Sequence, residues 1–370
     1  MSIEIRPVRS KKELKQFVKL PWKIYNDDPY WVPPLIAEDL KMLNKKKGTF
    51  FTFGEAELFL AYKKGEPVGR ITAHIDYQYE KYRDERTGRF GFFECLDDQE
   101  IADALLAAAE DWLRAKGKKR IEGPYNFTLY DASGLLYEGF DCMPVVLLSY
   151  NPSFYKELLV NAGFEKAIDW YAFMVRDSVE LRPSFKRIRD RIMKQGLRLE
   201  RISLKKLDEA VHYIGPIFNE AWMENWGHVP LTNGQLEDLK EELKYVVEPN
   251  LTYLAFWDDE CIGFSLSIKD ANPALKKANG RLFPFGLLKV LLAMKKINRL
   301  RTIAMGVLKE HRHRGLDTLF YLNTIEEGIK MGYAESECSI IVETNQRMIG
   351  ALEYLQAERY KTYRFYQKEI

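Results

Sequence analysis

The run Val307-Leu308-Lys309-Glu310-His311-Arg312-His313-Arg314-Gly315-Leu316-Asp317 decides how this chain is read. Its apolar start predicts a short strand, its basic centre a turn, and the residues after it a helix from Thr318 to Met331. A helix start leaves backbone N–H groups without intrahelical partners and carries a partial positive charge. A glycine-containing turn that gathers those groups beside arginines is suited to a pyrophosphate. The residues of such a cradle are Leu308, Arg312, His313, Arg314, Gly315, Leu316 and Asp317. Asp317 is the discordant member. A carboxylate there repels a phosphate or caps the helix, and capping is the expectation because Asp is a favoured N-cap residue.

An internal repeat surrounds this turn. Leu60-Ala61-Tyr62 through Glu66-Pro67-Val68-Gly69 matches Leu254-Ala255-Phe256 through Glu260-Cys261-Ile262-Gly263. Asn151 through Leu158 matches Asn345 through Leu352. Both matches lie 194 positions apart (66 to 260, 151 to 345). A period this long is no solenoid unit and predicts a duplicated domain. The length of 370 residues allows two or three domains, each able to bury a core. The expected division is 1–178 and 179–370, with the charged helix Arg182 to Gln195 as linker.

Composition is that of an ordinary globular protein, 46% hydrophobic and 30% charged, with a net charge of +2 that gives no reason to expect nucleic acid as a partner. Cys95, Cys142, Cys261 and Cys338 form no Cys-x-x-Cys pair, so neither a zinc nor a redox site is expected. No apolar leader precedes Glu4 and Glu13, and the run Leu282 to Met294 is too short to span a bilayer. A reducing, cytoplasmic setting is therefore expected.

The pattern of elements is laid down twice. The first half predicts a strand at 3–7, a helix at 11–25, a hairpin at 55–75, a strand at 91–95 and a helix at 100–116. Strands at 120–123, 145–150 and 170–175 follow, with a helix at 152–162. The second half repeats it with a strand at 197–202, a helix at 206–221, a hairpin at 252–269 and a strand at 301–308. After the turn come a strand at 334–342, a helix at 347–355 and a last strand at 361–367. Strands and helices in this order fit an α/β layered domain with a mixed sheet.

Arg312 and Gly315 resemble the Arg/Gln-x-x-Gly-x-Gly/Ala acyl-CoA signature of the GNAT superfamily, with Asp317 where a small residue is usual. Glu343-Thr344-Asn345-Gln346-Arg347-Met348, Lys361 through Tyr366, and Asn219 through Pro230 resemble the tandem GNAT-like bacterial ceramide synthase-like family. The resemblance implies two tandem GNAT-like domains, each a mixed twisted sheet flanked by helices. It implies an acyl-CoA cosubstrate, no metal, and transfer of the acyl group to a primary amine, of which a long-chain sphingoid type is one. It also implies that strands 303–308 and 336–342 splay to admit the thioester. The first half lacks the signature: its equivalent turn, Glu94-Cys95-Leu96-Asp97-Asp98-Gln99-Glu100, has four carboxylates and no Gly. That half is expected to be a scaffold or a substrate wall.

An amine attacks a thioester only as the free base, so a proton acceptor is needed. Glu343, at the end of a predicted core strand, is the first choice, against a plain role in the following turn. Asn345 either fixes pantetheine or caps the next helix. His228 either serves as a base or is a loop histidine. His311 and His313 flank the turn and do not make a metal site without a third ligand. The Tyr expected of a GNAT acid is replaced by Leu352, with Tyr354 two positions on. Residues 276–301 interleave Lys and Arg with Leu, Phe and Val, which suits a peripheral membrane contact or lipid substrate, or else a helix packed on its own domain. A small-amine acetyltransferase and a non-catalytic acyl-CoA-binding or interaction module are the alternatives.

Overall fold

A computed structural model describes residues 2–312 and 314–370. The chain divides into two compact units, and the division is not a single cut. Among the described residues the first comprises those of 2–170, 272–295 and 361–370, and the second those of 171–271 and 296–360.

In the first unit β1 (Glu4–Pro7), β2 (Gly54–Lys63), β3 (Glu66–Asp76) and β4 (Thr87–Cys95) are successive antiparallel neighbours. The helix Gln99–Ala115 then crosses over to β5 (Arg120–Gly123), which runs parallel to β4. β6 (Leu135–Glu138) follows, and β7 (Glu165–Arg176) leaves the unit at Trp170. The helices Gln99–Ala115 and Tyr155–Asn161 cover one sheet face, burying Leu105, Leu106, Leu113 and Leu159 against Ile71, Phe90 and Ile121. The helix Lys11–Lys19 contributes Phe17 and Val18 to a second cluster with Leu58, Leu60 and Phe92. It starts on a capping box formed by Ser10 and Glu13 and stops before Pro21, so the single helix expected to Tyr25 is two.

The second unit repeats this plan. β8 (Arg198–Arg201), β9 (Tyr253–Trp257), β10 (Glu260–Lys269) and β11 (Arg299–Val307) are antiparallel in turn, and the helix Leu316–Lys330 crosses over to the parallel β12 (Glu335–Val342). β1 to β5 thus have counterparts, β8 to β12, at the same places in the order, while β6 has none; this is the duplication seen in sequence. The last strand, β13 (Glu358–Glu369), re-enters the first unit at Lys361 and pairs with β5 from Tyr366↔Gly123 to Glu369↔Arg120. β12 of the second unit has β7 as its neighbour. The final strand of each sequence half therefore lies beside the other half's parallel strand.

Several expectations change. The helix Pro183–Lys194 is not a linker: its Ile192 is buried with Leu316 and Phe320, and its Phe185 with Leu322 and Leu352. Residues 145–150 form no strand, and β6 is the element that pairs with β13. The helix Asn233–Leu243, entered through a Thr232–Gln235 capping box, was not expected. The insert 272–295 packs with the first unit although it lies in the second half of the sequence.

Candidate functional site

β11 and β12 form a ladder only from Arg299↔Glu335 to Thr302↔Cys338. Beyond it, 303–307 and 339–342 share no ladder pair. β11 stays paired on its other side as far as Gly263↔Val307, so it is the side toward β12 that is left without pairs. Among the described residues no backbone hydrogen bond joins these two parallel strands past the ladder. The Trp222 indole N–H donates to the Met305 carbonyl at 3.0 Å.

The corresponding place in the first unit is bridged. The β4–β5 ladder runs only from Thr87 to Arg89. Past it, Tyr125 N–H donates to the Phe90 carbonyl at 2.7 Å, and Phe92 N–H donates to Asn126 Oδ1 at 2.9 Å. A Cβ on Gly91 would stand 1.4 Å from the Tyr125 carbonyl oxygen, so glycine is required for that approach. Tyr125 and Asn126 thus bond to β4 past the ladder, where the second unit has, among its described residues, no such bonds between β11 and β12.

The turn after β11 follows the stretch 303–307 that has left the ladder. Leu308 N–H donates to the Ile262 carbonyl (2.9 Å), and Lys309–His311 form one 3-10 turn. Gly315 has φ +90°, and the helix begins at Leu316, which is buried. A Cβ at 315 would press on Ile188 and Ile192 at 3.0 and 3.1 Å, so backbone and packing both demand glycine. The first turn's bond is Leu319 N–H to the Gly315 carbonyl, which leaves the N–H groups of Leu316 and Asp317 with no acceptor inside the helix.

Asp317 is not the N-cap. The left-handed Gly315 starts the helix earlier than expected, and Asp317 falls in its first turn. Its Oδ1 accepts from Thr318 N–H (3.0 Å), and its Oδ2 accepts from Arg347 (2.9 Å). The ion pair offsets the carboxylate that a phosphate would otherwise meet. Arg312 donates to Glu224 (3.1 Å), to the Ala221 carbonyl (2.9 Å) and to the Val307 carbonyl (3.3 Å). It thereby pins the C-terminal end of the helix Leu207–Ala221, where a cation is favoured. The exposed Arg314 lies over the Trp257 ring, 4.5 Å from its centroid. His311 is part-buried beside them, and His313 lies outside the described residues.

The stretch 219–231 braces this turn and β11. Asn219 Oδ1 accepts from Leu231 N–H (2.9 Å), closing the loop, and Glu220 accepts from Lys309 N–H (3.2 Å). His228 is fully buried, with its ring 5.5 Å from that of Phe218. Glu343 directly follows β12 and is part-buried, its carbonyl accepting from Gln346 at 2.7 Å. Asn345 caps the helix Gln346–Tyr354 by accepting from Met348 N–H (3.2 Å). Leu352 is core. Tyr354 is exposed and holds Ser184 at 3.2 Å; that bond, with Arg182 over its ring, lowers its pKa from the ordinary phenol value. Burial, then the Glu337 charge, pushes the Cys338 thiol up to about 12, so it is no thiolate nucleophile at neutral pH.

One cluster escaped the sequence reading. Glu337 on β12 is fully buried where the ladder ends, and it accepts from the hydroxyls of Ser339 and Tyr360. Arg301 donates to Ser339 Oγ at 3.1 Å and lies 3.9 Å from Glu337. The signal was the pair Glu335 and Glu337 inside a predicted core strand, each opposite an arginine. Among the described residues no group of three or more His, Cys, Asp or Glu is placed to hold a metal ion.

Solved structures share this architecture. A tandem GNAT protein from the clavulanic acid biosynthesis pathway matches 100% of the chain and 98% of its own, with a TM-score of 0.58 at 14% identity. A GCN5-related N-acetyltransferase from Sphaerobacter thermophilus matches 99% and 95%, with a TM-score of 0.52 at 13% identity. The class is thus the tandem GNAT fold. No family model matches the sequence. Two relatives match it end to end: protein YghO of Escherichia coli is 34% identical over 99% of the chain and 95% of its own length, and the bacterial ceramide synthase of Caulobacter vibrioides is 33% identical over 100% and 98%. The chain belongs to this bacterial ceramide synthase-like family of tandem GNAT proteins, and fold and family together support an acyltransferase.

Proposed function

We propose that the protein transfers an acyl group from a CoA thioester to a primary amine of the long-chain, sphingoid type. The observation that carries the reading is the end of the β11–β12 ladder at Thr302 and Cys338, while both strands run on toward the helix start at Leu316. A thioester arm laid between the two strands past that point finds backbone partners on them, and its pyrophosphate finds the N–H groups of Leu316 and Asp317 with Arg314 nearby. The first unit, with Tyr125 and Asn126 bonded to β4 at the corresponding place, serves as scaffold or substrate wall. The long-chain amine is favoured by the name of the Caulobacter relative.

In the reaction the amine nitrogen bonds to the thioester carbonyl carbon, the C–S bond breaks, and CoA leaves as a thiolate. The amine's proton passes to Glu343 or to water it orients, and a proton returns to the thiolate sulfur. Glu337, fully buried where the ladder ends, is a further carboxylate on the strand that Glu343 follows. A non-catalytic acyl-CoA-binding protein is the second reading, favoured by the core position of Leu352 and the outward bonding of Tyr354.

The test is thermal stability with CoA, acetyl-CoA and palmitoyl-CoA, followed by thiol release on adding a sphingoid base or a small amine. Bound ligand raises the melting point by mass action. Arg312→Glu and Arg314→Glu should abolish the ligand-induced rise, whatever they do to the apo melting point. Glu343→Gln should keep the rise and lower turnover by about 10²–10⁴-fold. Release with small amines alone favours the acetyltransferase alternative; a rise without release leaves the binding module; no rise with any thioester rejects all three.

A further inference from the structure

The segment 281–295 has its apolar side outward. Phe283 and Phe285 are 77% and 70% exposed, and Leu288, Leu291 and Leu292 are 56–59% exposed. The residues of the helix Gly286–Met294 that are buried are its small ones, Gly286 and Ala293. A helix packed on its own domain would show the reverse. The segment is also firmly seated within its unit. Asn272 donates to the Pro144 carbonyl (2.7 Å), the Trp22 indole N–H donates to Asn279 Oδ1 (2.9 Å), and Ile36 N–H donates to the Gly280 carbonyl (3.0 Å). The apolar face is therefore held outward by a fixed base.

Charge identifies what covers it. Between Asp270 and Glu310 the sequence has no acidic residue. Lys277, Arg281, Lys289 and Lys295 are exposed among the apolar side chains. Pressing this face onto a second copy would bring these cations onto one another with no local carboxylate to pair them. An anionic lipid surface instead takes the rings and leucines below its headgroups and the cations among its phosphates. The helix, about 14 Å long at 1.5 Å per residue, suits lying in the interface. Among the described residues no helix is long and apolar enough to cross a membrane.

We infer that residues 281–295 form a docking face for the surface of an anionic bilayer. The face stands on its own observations and not on the acyltransferase reading: vesicle binding without a CoA response would keep it, and a CoA response without vesicle binding would reject it alone.

The experiment is co-sedimentation of the full chain with vesicles of phosphatidylcholine, alone or with about 30% phosphatidylglycerol. The parent should bind the anionic vesicles about tenfold or more better than the neutral ones, and high salt should erase the difference. Phe283→Ser/Phe285→Ser/Leu288→Ser should lose binding to both while keeping the parent's melting point, because these side chains are exposed. Lys289→Glu/Lys295→Glu should fall to the neutral-vesicle level. Equal binding to both vesicles, or variants that bind like the parent, would overturn the inference. So would a parent that ignores vesicles and forms a dimer that the triple variant dissociates.

Discussion

At the scale of single residues, burial sets chemistry that residue type alone does not. His74 is fully buried on β3. Its Nε2 lies 3.0 Å from the Phe127 carbonyl, which can only accept, so the ring proton sits on Nε2 and Nδ1 faces Thr72 Oγ1 at 3.3 Å as an acceptor. Burial, then the nearby Arg89 charge, pushes its pKa down to about 3, against a smaller opposing pull from that carbonyl. The folded protein thus refuses a proton that the unfolded chain binds below about pH 6.5. Stability should be complete above that pH and fall as pH drops toward 3, by about 1.4 kcal/mol per pH unit from this group. His74→Gln retains a donor for Phe127 and does not titrate. Urea midpoints across pH 8 to 4 should therefore decline less steeply in the variant, and parallel curves would remove His74 from the acid response. Arg312 teaches the same lesson at the candidate site. Its type and place mark it as a phosphate ligand, whereas its guanidinium is bonded to a helix end and Glu224.

At the scale of elements, the same pair of parallel strands is unjoined past its ladder in one unit and bridged in the other. These residues are local to the first unit, since Tyr125 and Asn126 follow β5 after a single Pro124. Hydrogen exchange with a bound CoA thioester should show the asymmetry. Amides in 303–307 and 339–342 should gain protection, and those in 90–95 should not change. Protection at β4 instead would place the thioester in the first unit and contradict the reading of that unit as a scaffold. The helix Pro183–Lys194 shows why the linker expectation gave way. Its charged residues suggested a solvated connection, but Phe185 and Ile192 recur on one face and bury against the helix Leu316–Lys330 and its neighbours.

At the scale of the whole molecule, neither sequence half is a folding unit by itself. Residues 361–370 belong to the first unit, where Tyr363, Phe365 and Tyr366 are essentially fully buried. Arg364 pairs with Asp169 through two bonds of 2.7 and 2.9 Å, holding that carboxyl below its ordinary range. Truncation after Tyr360 should leave β5 without its antiparallel neighbour and strip these aromatics from the core. Losing three buried aromatic side chains, at about 3–5 kcal/mol each, is comparable to a typical domain's whole margin. The truncated chain should show extensive limited proteolysis within 1–170, and resistance equal to the parent's would mean that β13 is dispensable there.

The duplication, the alternation of strands and helices and the glycine turn at 315 were all determined by the sequence itself. Each rests on local rules: side-chain periodicity, the left-handed freedom of glycine, and caps within one turn. Leu308, Arg312, Arg314, Gly315, Leu316 and Asp317 lie in and just after the turn that follows β11, and Glu343 and Asn345 follow β12, as their places in the chain require. Tertiary structure alone decided the partners. Which strand completes which sheet, what bonds to β4 past its ladder, where Arg312 points and which buried groups surround Glu337 depend on residues far away in the chain. The outward face of 281–295 is of the same kind. Apolar residues interleaved with scattered Lys and Arg suggest an amphipathic helix, but only packing against Trp22 and Ile36 shows which side the protein keeps and which it leaves for something else.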